Sequence, residues 1–121
     1  MRFMTIVKTR ETNAPPPQEL IDRINKIAED ATKQGVFAGM GGLGPTAAGF
    51  RARLSSGKIT VKDGPFAEAK EVIGGYAIFD VPSRKEALEW TRRFLEAHIG
   101  LWDYDLEVEA RQMMDASPNG C

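Results

Sequence analysis

Counting by two from Ile59 and Val61 puts the carboxylate of Asp63 on the apolar phase of a predicted strand. A carboxylate on a covered face needs backbone donors, a positive partner or a ligand. Two readings follow. In one, Asp63 is a general acid or base at a pocket mouth, its pKa set by its surroundings. In the other, it forms an Asx-type turn in which its side chain bonds nearby backbone N–H groups while Gly64 and Pro65 set the bend. His98 is the only histidine, so any histidine-dependent catalysis must use it. It continues the helical spacing of Ala87, Thr91 and Phe94, where a histidine can also do no more than interact with the last carbonyls and the helix dipole. Around Asp63 and His98 as catalytic candidates, the candidate substrate contacts are Arg51, Gly64, Pro65, Phe66 and Tyr76. Arg51 is a cation on a polar strand face, and Tyr76 offers an aromatic wall with a polar tip.

Other chemistries fit less well. One histidine, the terminal Cys121 and scattered carboxylates make no metal-ligand set of recognisable spacing, and neither a metal nor a cofactor is expected. Gly39, Gly41 and Gly44 stand at the GxGxxG spacing of a dinucleotide loop, with Asp63 roughly twenty residues beyond, as a ribose-binding acid would be. That motif must open a helix, yet Pro45, Gly49 and the alternation over 50–54 leave no helix there. The glycines read instead as a loop over 39–45.

The elements that must position these side chains follow from periodicity. Residues 3–7 are apolar in both phases and predict a central strand covered on both faces. The prolines within 13–17 make a loop, and Leu20, Ile21, Ile24, Ile27, Ala28 and Ala31 predict an amphipathic helix from Gln18 to near Gly35. A short strand is expected at 36–38. Phe50, Ala52 and Leu54 alternate with Arg51 and Arg53, and Ile59 and Val61 alternate with Lys58, Thr60 and Lys62. With Ser55-Ser56-Gly57 between them, these predict a β-hairpin with one wet face. A strand over 73–81 stops at Pro82. Ser83 and Glu86 then have capping-box spacing, opening a helix whose buried stripe is Ala87, Leu88, Thr91, Phe94 and Leu95 and which Gly100 ends. Phe66, Trp90 and Trp102 read as core or interface residues. A last strand covers 106–110, and 115–121 is expected to be a disordered tail after a single domain at 1–114.

This order predicts an α+β fold, a ferredoxin-like βαββαβ unit with an inserted hairpin. Two helices cover one face of such a sheet, so a second copy of the chain is the simplest cover for the other, giving a homodimer. The chain has 121 residues, 42% hydrophobic and 27% charged, with a net charge of −1. That balance gives no footprint for nucleic acid, and no apolar run suits a signal peptide or a membrane span. A cytoplasmic location is expected.

The run DGPFAEAKEVIGGY at 63–76, the following Ile78-Phe79-Asp80-Val81 and the helix with Ala87-Leu88-Glu89-Trp90 together resemble the DGPF branch of the YCII-related family, over about residues 3–113. The resemblance implies a dimeric α+β barrel of ferredoxin-like protomers, acting as a small enzyme or ligand-binding domain. The YCII branch carries a histidine in its first helix as half of a proposed His and Asp pair, but the first helix here has none. Asp63 matches the motif aspartate, and His98 follows the second helix. The resemblance also admits two other functions: a non-catalytic protein-interaction module associated with alternative sigma factors, or a cofactor-free monooxygenase. The last requires an apolar cavity large enough for an aromatic substrate.

Overall fold

The computed structural model describes residues 1–12, 14–66 and 71–114. The expected tail at 115–121 lies outside them. The element order is β1 (Arg2–Thr9), α1 (Gln18–Lys33), β2 (Phe37–Gly42), β3 (Phe50–Ser55), β4 (Lys58–Asp63), β5 (Val72–Asp80), α2 (Arg84–Glu96) and β6 (Leu106–Gln112). A short 3₁₀ turn, Thr46–Ala48, lies between β2 and β3.

Strands β2, β5, β1 and β6 form one sheet in that spatial order, and among the described residues β3 pairs only with β4. β1 and β2 both run antiparallel to β5, so they are parallel to each other with β5 between them; β5 and β6 likewise flank β1. This is the split βαβ arrangement expected from the element order, with the hairpin inserted between β2 and β5.

The apolar stripes bury one face of this sheet. Phe3, Phe79 and Val81 pack with Leu20, Ile27 and Ala31 of α1 and with Ala87 and Trp90 of α2. The Phe79 and Trp90 rings stack at 5.8 Å. Ser83 caps α2 as its spacing predicted, its hydroxyl accepting from the Glu86 backbone N–H at 3.3 Å.

Three expectations change. Residues 39–42 belong to β2, not to a loop, because pairing with β5 uses only backbone groups and an edge strand tolerates missing side chains. The regular part of α2 stops at Glu96; beyond it His98 N–H and Ile99 N–H bond carbonyls three residues back, and the chain turns at Gly100 with φ +81°. Leu88 is exposed, because Trp90 takes the core position opposite Phe79.

On its other face β1 presents Met4 and Ile6, half-buried beside Ile78, with no helix over them. No helix among the described residues is long and apolar enough to cross a membrane. Replacing the fully buried Leu20 with alanine should cost about 2–5 kcal/mol, while Leu88→Ala should stay within about 0.5 kcal/mol. Urea unfolding of the two variants distinguishes these values.

Candidate functional site

Register across the sheet explains where space is left. On the helix-facing side, Val108 of β6, Val7 of β1, Gly75 of β5 and Gly42 of β2 fall in one row. Two of the four have no side chain. The neighbouring row carries Thr5, Ala77 and Met40, so the floor stays low while α1 and α2 are held off by large residues such as Trp90 and Phe94. The result is a cavity of about 530 Å³ between the sheet and the helices. Leu20 and Ile24 reach it from α1, Thr91 and Phe94 from α2, and His98 and Trp102 from the segment leading to β6.

None of the described residues lining the cavity is Asp, Glu, Lys or Arg. Most of its polar groups are already engaged. Thr5 Oγ1 donates to the Ala77 carbonyl at 2.9 Å, and Thr91 Oγ1 donates to the Ala87 carbonyl at 2.9 Å. Thr9 Oγ1 donates to the Asp105 carbonyl and accepts from Trp102 Nε1, both at 3.3 Å.

His98 differs. Its Nδ1 lies 2.8 Å from the Phe94 carbonyl oxygen. A carbonyl only accepts, so Nδ1 must carry the proton, and in the neutral ring Nε2 presents a lone pair. No other described residue bonds the ring. Burial lowers the imidazole pKa from its ordinary value, and the Phe94 carbonyl opposes that only in part. Phe94 and Trp102 flank it, with ring centroids 4.7 and 6.2 Å away.

The motif at 63–66 sits elsewhere. Asp63 ends β4 opposite Phe50, in phase with Ala52, Leu54, Ile59 and Val61. The phase matches the one counted from sequence. The cover does not: Phe50, Leu54, Ile59 and Val61 are 67, 72, 74 and 65% exposed, and Asp63 is exposed too. Its carboxylate makes no hydrogen bond or ion pair with any described residue, so the expected Asx turn is not formed. Within one chain, His98 lines the cavity and Asp63 does not.

Other contacts hold the turn. Gly64 N–H donates to the Gly49 carbonyl at 2.9 Å, and Phe66 N–H donates to Thr46 Oγ1 at 3.3 Å. A Cβ on Gly64 would collide with the Thr46 carbonyl oxygen, so this position requires glycine. Thr46 is itself held by the Glu11 carboxylate, which accepts from its backbone N–H at 2.7 Å and from its hydroxyl at 2.9 Å. Phe66 is buried, with the Arg51 guanidinium 3.9 Å from its ring centroid. Gly64, Pro65, Phe66 and Arg51 therefore lie together at the root of the hairpin. Tyr76 borders the cavity, although it alternates with Ala77 on the strand and its ring lies against Gly41, where a Cβ would come within 2.8 Å of Cε1. Sequence reasoning missed Glu11, Thr46 and the glycine pair Gly42 and Gly75, whose roles come from pairing across the fold and leave no local signal.

Because the folded pKa of His98 lies below its unfolded value, the unfolded chain takes up its proton first as pH falls. Stability should decline from about pH 6.5 until the folded ring also protonates, and no further on this account. Asp30 is held below the usual carboxylate range by hydrogen bonds from Arg93 and Lys26, and Glu109 is lowered by Lys8. Their contributions disappear only at more acid pH, below about 4. Melting temperatures between pH 8 and 5 should fall in the wild type and stay flatter in His98→Gln.

A YCII-related domain model matches residues 1–119. An uncharacterised protein of Rhizobium meliloti is 39% identical over 64 residues, which are 53% of this chain and 52% of that protein. The match thus spans about half the length of that relative. With the family model covering nearly all of the α+β unit, the chain belongs to the YCII-related domain family.

Proposed function

We propose that this protein is a homodimeric small-molecule-binding protein or enzyme whose site is the cavity between the sheet and the two helices. The observation that carries the reading is a cavity of about 530 Å³ with no Asp, Glu, Lys or Arg among its described lining residues and with the His98 imidazole in its wall. Its size falls within the usual range of ligand pockets, and a mostly apolar wall with few polar groups is their usual make-up. The volume also meets the requirement set for a monooxygenase-like relative, an apolar space that admits an aromatic substrate.

The dimer rests on two uncovered surfaces. The open sheet face has Met4, Ile6, Ile78 and Tyr76 at its middle. Around them stand the Lys8–Glu109 ion pair at 2.7 Å and the contact of Met1 and Arg2 with Asp80. An apolar centre with a polar rim suits an interface. The hairpin adds the exposed apolar side that holds Phe50, Leu54, Ile59 and Val61. Asp63 enters this reading as a polar group outside the cavity, on the hairpin side that the second copy covers. Unchanged binding and turnover in Asp63→Asn would remove it. A chain that sediments as a monomer at micromolar concentration would remove the dimer, and co-sedimentation with an unrelated protein would favour the interaction-module alternative.

The cavity itself is tested by filling it. A Cβ on Gly42 would meet nothing within 4 Å, so Gly42→Leu should project into the space without displacing the backbone. Naphthalene should shift the indole N–H resonances of Trp90 and Trp102 in the wild-type protein and leave them unmoved in Gly42→Leu. Both tryptophans line the cavity, so the absence of any wild-type shift with naphthalene and with its hydroxyl and carboxylate derivatives overturns the reading.

A further inference from the structure

We infer that the ligand is an uncharged planar aromatic molecule with one hydroxyl group, which donates a hydrogen bond to His98 Nε2. The inference rests on the cavity reading above and deepens it.

Three features of the wall select this chemistry. The first is charge. With no Lys or Arg among the described lining residues, a carboxylate or phosphate would lose its hydration without a counter-charge. With no Asp or Glu there, a cation would fare no better.

The second is shape. Phe79 and Trp90 stack at 13° between planes, and Phe94, His98 and Trp102 form a further aromatic group with Trp102 edge-on to the imidazole. Flat rings gain offset and edge-to-face contacts against such walls beyond their area burial. Gly42 and Gly75 leave one stretch of the sheet side without side chains, so a flat molecule meets no projecting group over these two residues.

The third is polarity. The hydroxyls of Thr5, Thr9 and Thr91 already donate to backbone carbonyls, and the indole N–H of Trp102 already donates to Thr9. The proton on His98 Nδ1 is directed to the Phe94 carbonyl, which leaves Nε2 able only to accept. The ligand group that meets Nε2 must donate, and a phenolic hydroxyl donates strongly while remaining neutral at pH 7. A ligand without a donor would leave that lone pair desolvated and unpaired.

The test compares naphthalene, 1-naphthol and 1-naphthoate, which share a ring system and differ in one group. In the wild type, 1-naphthol should bind about five- to tenfold more tightly than naphthalene, the worth of one net hydrogen bond. 1-Naphthoate should bind at least about tenfold more weakly than 1-naphthol. The preference for 1-naphthol should vanish in His98→Phe and persist in His98→Gln, which keeps an acceptor. Should His98→Phe fail to fold, the Nε2 nitrogen resonance of wild-type His98 gives the answer directly, because 1-naphthol should move it and naphthalene should not. Equal binding of naphthalene and 1-naphthol, or tightest binding of 1-naphthoate, overturns the ligand class and leaves the cavity reading standing. Failure of all three to bind overturns both.

Discussion

The arrangement depends on one constraint: β1 is hydrogen-bonded along both edges, to β5 and to β6, while helices lie over only one of its faces. A strand so placed cannot satisfy its backbone anywhere else, and its side chains must find cover on two sides. On the helical side, Phe3 and Thr5 are buried, but further along the strand Val7 and Thr9 stand over the cavity. On the other side, Met4 and Ile6 are only half-buried. One strand thus accounts for both features on which the proposed function rests, a space under the helices and an apolar face that no described helix covers.

The cavity is a consequence of side-chain volume. Cores normally fill to crystal-like density, and a gap of this size costs dispersion contacts along its whole lining. Here the gap opens because Gly42 and Gly75 are paired across β2 and β5, and because Gly75 has the Gly41 carbonyl 2.9 Å from where its Cβ would be. At Gly75 a side chain is excluded by backbone proximity, whereas Gly42 has open space above it. Aromatic residues hold the far wall. Leu20, Phe79 and Trp90 border this space yet stay buried against one another and Val81 on their other sides, and a ligand of matching shape would restore the missing contacts.

Most elements were legible from periodicity, because α1, α2, β1, β5 and β6 each have one face whose burial the sequence must encode. The Ser83 cap was legible for the same local reason, since a hydroxyl three residues before Glu86 meets its backbone N–H within one helical turn. Tertiary information was not. β2 runs through glycines because its partner strand supplies what its own side chains do not, and no window around 39–42 contains β5. The candidate site was legible only in its parts. His98 stood out by being unique, whereas Gly42, Gly75, Thr5 and Val108 meet it through register, which joins residues far apart in the chain.

Asp63 shows where such inference stops. Alternation correctly placed it with Ile59 and Val61, since phase is a local property of a strand. Burial is not local; it depends on what lies opposite. The hairpin root is held by Gly64 against the Thr46 carbonyl, by Phe66 N–H on Thr46 and by Glu11 behind Thr46, and with that root the apolar side of the hairpin is exposed. The hairpin's apolar side and its terminal carboxylate thus share one exposed side, outside the chain's own core. This leaves Phe50, Leu54, Ile59 and Val61 in water as one apolar side, which is the surface the proposed second copy would cover.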